Sequence, residues 1–136
     1  MTSGHEHLSH TADVKIRAWG ETLSQVFNES ARAFTNCITD VNAIQPHQQR
    51  SIHLRAPTIE RLFHDFLSEL VYLKDTSHFI PCGATLDVGE LALSGTLFGD
   101  TISLYETHGD IKAPTLHDLH IEKTPGRVTV EFVLDI

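Results

Sequence analysis

The stretch His10-Thr11-Ala12-Asp13-Val14-Lys15-Ile16-Arg17-Ala18 decides how this chain folds. Val14, Ile16 and Ala18 alternate with polar residues, which is the period-two pattern of a strand with one buried face. The predicted strand runs from about Asp13 to Trp19, and Gly20 ends it. Its counterpart lies at the far end of the chain, where Val128, Val130, Phe132 and Leu134 alternate toward Leu134-Asp135-Ile136. Each run carries an aspartate at one end. If the two strands are neighbours, Asp13, Asp135 and the terminal carboxylate at Ile136 converge. Like charges forced together need a cation or protons to neutralise them, and hard divalent ions are bound by oxygen ligands. An arbitrary pair of aspartates is more often two solvated strand ends.

The remaining elements follow from the same rules. Thr22-Leu23-Ser24-Gln25 has the form of a capping box. A helix is predicted from there to about Thr39, with Leu23, Val26, Phe27, Phe34, Cys37 and Ile38 on its apolar face and Glu29 and Arg32 toward solvent. Asn42 to Gln49 reads as a loop and Ser51 to Arg55 as a short strand. Thr58 is the expected N-cap of a second helix to about Lys74, whose stripe of Ile59, Leu62, Phe63, Phe66, Leu67, Leu70 and Leu73 needs a sheet to cover it. From Phe79 onward the texture is that of short strands. Pro81-Cys82-Gly83 and Gly99-Asp100 read as turns, Leu91 to Phe98 as a strand interrupted by Gly95, and Thr101 to Tyr105 as a further short strand. Leu116 to Lys123 and Arg127 to Asp135 form a predicted hairpin closed by Thr124-Pro125-Gly126. The pattern predicts an α+β fold of one domain, two amphipathic helices packed on curved, mostly antiparallel sheet.

Composition narrows the function. A chain of 136 residues builds one core. A formal charge of −8 carries no basic stripe, so RNA or DNA would be reached only through a partner. No run is apolar enough to span a membrane and no signal-peptide layout opens the chain, which together predict a cytoplasmic protein. Residues 1 to 9 are polar, with His5 and His7, and read as a flexible N-terminus. Cys37 and Cys82 belong to no metal or redox motif; Cys37 falls in helical phase with a buried face. There is no P-loop, no dinucleotide fingerprint, no nucleophile elbow and no H-E-x-x-H. Catalysis would rest on Asp13 and Asp135 alone, with His10 or His117 beside them.

These residues, read together, resemble the archease family. The resemblance rests on His10-Thr11-Ala12-Asp13-Val14, Gly20-Glu21-Thr22-Leu23, Phe66-Leu67-Ser68-Glu69-Leu70-Val71-Tyr72-Leu73 before Asp75-Thr76, Lys112-Ala113-Pro114-Thr115-Leu116-His117-Asp118-Leu119, and Val133-Leu134-Asp135-Ile136. The chain departs from the family's usual glycine at Lys15, valine at Pro114 and tyrosine at Leu116. The resemblance implies an archease-like domain over residues 10–136 and a non-catalytic role. Such a protein activates a GTP-dependent RNA ligase of tRNA splicing and RNA repair, promoting its guanylylation and multiple turnover. It also implies a divalent metal ion (Ca, Mg or Mn) held by Asp13, Asp135 and Ile136. His10, Lys112 and His117 stand as secondary site or partner residues, the histidines being poor matches to a hard ion. Two other readings compete: a metal-dependent phosphoester hydrolase, and a chaperone or specificity factor for a tRNA methyltransferase, a role also associated with the family.

Overall fold

In a computed structural model, which describes residues 3–8 and 13–136, the two alternating runs at the chain's ends are adjacent antiparallel strands. In chain order the elements are β1 (Gly4–Leu8), β2 (Asp13–Gly20), α1 (Leu23–Asn36), β3 (Gln48–Arg55), α2 (Ile59–Ser77), β4 (Phe79–Val88), β5 (Ala92–Thr101), β6 (Ala113–Thr124) and β7 (Arg127–Asp135). One sheet has the order β1-β2-β7-β6 and the other β3-β5-β4, with every pairing antiparallel. This is the expected α+β architecture.

Both helices begin where their caps require. Thr22 Oγ1 accepts from the Gln25 N–H at 3.2 Å, and Gln25 Oε1 reaches back to the Glu21 N–H at 2.7 Å. Thr58 Oγ1 accepts from the Arg61 N–H at 3.1 Å. These bonds satisfy amides that have no partner within the helix. α2 runs to Ser77 and stops at His78, whose left-handed φ of 56° lets its N–H return to the Lys74 carbonyl at 3.1 Å.

The core is centred on aromatic rings from three elements. Phe27 of α1 meets Phe63 and Phe66 of α2 at ring separations of 5.1 and 5.3 Å, and Phe63 meets Phe132 of β7 at 5.0 Å. Phe63 therefore joins both helices to the sheet that carries Asp13 and Asp135. All four rings are buried, and the edge-on pairs Phe27–Phe63 and Phe63–Phe132 add to the effect of burial itself.

Several boundaries differ from the sequence reading, each for a physical reason. Gly4–Leu8 is a strand, not a flexible terminus, because it pairs with β2 in register from Gly4↔Trp19 to Leu8↔Lys15. That strand covers Glu29, expected in solvent, which is buried with its Oε2 3.0 Å from His5 Nδ1. Arg32 is half-buried and donates to the Cys82 carbonyl and to Asn42 Oδ1. α1 ends at Asn36, where the Asn36 amide oxygen accepts from the Val41 N–H and draws the chain into a turn. Pro81-Cys82-Gly83 is a bulge inside edge strand β4, where a proline costs no ladder bond. Gly99 and Asp100 continue β5 because a Cβ at Gly99 would lie only 1.9 Å from the Ile80 carbonyl oxygen, so the close approach itself demands glycine. Ile102–Leu104 is a 3-10 turn rather than a strand. The β6–β7 hairpin closes through Pro125-Gly126 as expected, with Gly126 at φ 77°.

Asp100 is buried and anchors the loops below the second sheet. Its Oδ2 accepts from the Tyr105 hydroxyl at 2.7 Å and lies 2.9 Å from His47 Nδ1, while Oδ1 accepts from the Thr101 N–H at 2.9 Å. The Tyr105 hydroxyl above all holds the Asp100 carboxyl below its ordinary value, against the opposing effect of burial.

Two outcomes are expected. Phe63→Ala should lower unfolding free energy by about 3–5 kcal/mol in urea titration, since a fully buried junction ring leaves a cavity. Because the Asp100 pKa is lowered on folding, its stabilisation is whole above the unfolded value of 3.8 and is lost as pH falls through the folded one. Asp100→Asn should therefore be less stable than wild type near pH 6, with the gap narrowing as unfolding is measured toward pH 2.

Candidate functional site

In the β2–β7 ladder Asp13 faces Asp135 directly, followed by Val14↔Leu134, Lys15↔Val133, Ile16↔Phe132 and Arg17↔Glu131. Directly opposed residues project to the same side with Cβ atoms about 4.5–5.5 Å apart. Ile16, Phe132 and Leu134 are buried in the core, so period-two geometry sends Asp13, Lys15 and Arg17, with Glu131, Val133 and Asp135, to the other face. Asp13 is half-buried and Asp135 exposed. On the far side of Asp135 lies Ala113 of β6, and the Lys112 N–H donates to the Asp135 carbonyl at 2.8 Å.

Charge on this face is graded along the strands. Toward its middle, Arg17 donates to Glu131 through Nε at 2.9 Å and lies 2.8 Å from it through Nη2, and it donates to Glu6 of β1 at 2.6 Å. The Arg17 guanidinium, through those bonds, holds the Glu131 carboxyl below its ordinary value. Lys15 directs its ammonium to Glu131 Oε1 at 3.7 Å. The end of the face is different in kind, since two carboxylates stand directly across from one another there.

The structure thus brings Asp13 and Asp135 together as the sequence suggested, with Ile136 next in the chain and half exposed. The Lys112 backbone belongs to this corner while its side chain is exposed. His117 sits apart on an excursion of β6, where the register jumps between Thr115 and His120; it is exposed, with Nε2 3.4 Å from Asp118 Oδ2. His10 lies outside the described residues. Among the described residues no three Asp, Glu, His or Cys side chains converge to hold a metal ion. The donor set at this corner is two side-chain carboxylates and main-chain oxygen, which is oxygen chemistry suited to a hard cation and unsuited to a soft one.

Two residues near the corner escaped the sequence reading. Lys74 lies four residues after Leu70 and seven after Leu67, in phase with the apolar stripe of α2, and it is buried. Its ammonium lies 2.8 Å from Asp110 Oδ1, two residues before Lys112. The signal was the phase of a lysine within an apolar helix face.

Comparison with known proteins bears on the family and the fold. The sequence profile of the archease protein family matches residues 5–136. A protein archease of Methanosarcina barkeri is 35% identical, with 97% of this chain and 95% of that protein covered. One from Pyrococcus furiosus is 33% identical, covering 96% and 97%. Among solved structures, Methanobacterium thermoautotrophicum protein 1598 superposes with a TM-score of 0.80 at 26% identity, over 98% of this chain and 99% of that one. A Thermotoga maritima protein described as an archease and possible chaperone shares the fold, with a TM-score of 0.65 at 19% identity over 96% of both chains. With a profile spanning nearly every residue, relatives a third identical along almost their whole length, and a common backbone, this chain belongs to the archease family.

Proposed function

We propose that this protein is a non-catalytic activator of a GTP-dependent RNA ligase in tRNA splicing and RNA repair, working in the cytoplasm through the Asp13–Asp135 corner. The observation that carries the reading is the register itself, which sets the two carboxylates directly opposite one another. Such a pair is destabilising unless its charge is neutralised. Asp13, Asp135 and main-chain oxygen at Ile136 would hold a divalent ion (Ca, Mg or Mn), which when bound supplies positive charge and open coordination positions to a partner's phosphates.

What the chain's own residues do follows from their positions. β2 and β7 fix the separation of the two carboxylates, so little ordering is needed to present them. Lys112, exposed beside Asp135, offers a cation to a phosphate or carboxylate of the partner. Arg17 and Lys15 stay engaged with Glu131 and leave the acidic corner distinct. The net charge of −8 favours approach to a basic RNA-handling enzyme, with an on-rate that weakens as salt rises. Activation requires tighter binding to the ligase's competent state than to its resting one.

Two measurements test this. In chelator, Asp135→Asn should unfold at a higher temperature than wild type, because it relieves a repulsion of up to about 1 kcal/mol. Excess Mn²⁺ or Ca²⁺ should reverse the order, adding about 2.7 kcal/mol to wild type at a hundredfold excess over the dissociation constant and little to the variant. In RNA joining by a cognate ligase, wild type should convert a single turnover into many. Asp13→Ala and Asp135→Ala, shown to be folded by circular dichroism, should not; undiminished stimulation by either variant refutes the proposal.

A further inference from the structure

The segment between the 3-10 turn at Ile102–Leu104 and β6 carries Lys112 to the acidic corner, and it is held from two sides. Its upstream half is tied to the end of α1: Thr39 Oγ1 donates to the Glu106 carbonyl at 2.6 Å, the His108 N–H donates to the Ile38 carbonyl at 2.8 Å, and Gly109 packs so closely that a Cβ there would lie 2.5 Å from the Cys37 oxygen. Its downstream half is tied to the end of α2, through one carboxylate oxygen. Asp110 Oδ1 lies 2.8 Å from Lys74 Nζ and also accepts from the Ile111 N–H at 2.8 Å. Ile111 is fully buried, and the next amide, that of Lys112, donates to Asp135.

Lys74 is an unusual residue to find at this point. It is only 6% exposed, and its second contact is Asp75 Oδ1 at 2.6 Å. Burial alone pulls an ammonium's pKa down, yet the bonds from Asp110 and Asp75 outweigh it and leave Lys74 more firmly protonated than a free lysine. A cation in the last turn of α2 also complements the helix dipole. The lysine end of these pairs is buried while the Asp110 and Asp75 side chains are 71% and 58% exposed, so the contact is anchored from the helix and removing the lysine releases the Asp110 carboxylate to solvent.

We infer that Lys74 is a positioning residue for the acidic corner: through Asp110 and Ile111 it clamps the Lys112 amide onto Asp135 and so sets the carboxylate pair for its cation. The inference rests on the reading of that corner as a cation site. Groups hydrogen-bonded directly to a metal's ligands affect its affinity by about 10- to 100-fold, and Lys74, acting behind the Lys112 amide, belongs at the lower end of that range.

The test uses the full chain with Mn²⁺ as probe. Lys74→Met should raise the Mn²⁺ dissociation constant about tenfold. It should also speed hydrogen exchange of the Lys112 amide, while amides in α1 and the β3-β5-β4 sheet exchange as in wild type. Lys74→Arg should recover most of both effects, which a merely space-filling role would not require. If Lys74→Met fails to fold, Asp110→Asn replaces it, keeping an acceptor for the Ile111 N–H but losing the charge. Unchanged exchange at Lys112 in a folded variant overturns the clamp. Wild type that binds no Mn²⁺ overturns the cation site, and the exchange arm alone then decides the clamp. Wild-type and variant dissociation constants that agree overturn the link between them.

Discussion

Everything at the candidate site depends on one antiparallel pairing, that of β2 with β7. The two strands are separated by more than a hundred residues, yet their alternating apolar faces lock in one register. A slip of β2 by one residue would turn Ile16 and Ala18 out of the core, and a slip of β7 would do the same to Val130 and Phe132, so burial fixes the register far more strongly than the aspartates could oppose it. The pairing of Asp13 with Asp135 across one rung is therefore imposed by packing elsewhere. A few tenths to about one kcal/mol of cross-strand repulsion is small beside the several buried side chains that hold these strands together.

The rest of the molecule supports that pairing. Phe63 binds Phe132 of β7 to both helices, and the arginine and glutamates of the middle rows compensate one another across three strands. Among the described residues of β2 and β7, the acidic corner is where two like charges are paired across a rung, a pattern that runs against local stability. Conflicts of this sort between local preference and global fold are where function is to be sought. The ends of both helices grip the segment that leads to Lys112, while β1 buries Glu29 through His5 farther along the sheet, opposite Ala18.

Much of this was legible in the residue pattern. The Val14, Ile16, Ala18 and Val128 to Leu134 alternations predict β2 and β7, and Thr22 and Thr58 mark both helix starts where they occur. The juxtaposition of Asp13 with Asp135 followed once those strands were taken as neighbours. What the pattern could not carry was tertiary compensation. Gly4–Leu8 is too polar to announce a strand, because its stability comes from the β2 edge and from a histidine–glutamate contact rather than from an apolar face. Gly99-Asp100 and Pro81-Cys82-Gly83 carry turn residues, but a close backbone approach and a bulge put them inside strands. Lys74 carried a readable phase, but its meaning depends on Asp110, a residue far along the chain that only the fold brings to it.

The central claim is that the two chain ends share one cation across a ladder rung. It is tested most directly by nuclear magnetic resonance of the folded protein with substoichiometric Mn²⁺, whose paramagnetism broadens nearby amides. The account predicts selective broadening at Asp13, Val14, Leu134, Asp135 and Ala113. Broadening centred on the His5–His7 strand or on Asp75 and Asp110, with the Asp13 and Asp135 amides left sharp, would contradict it.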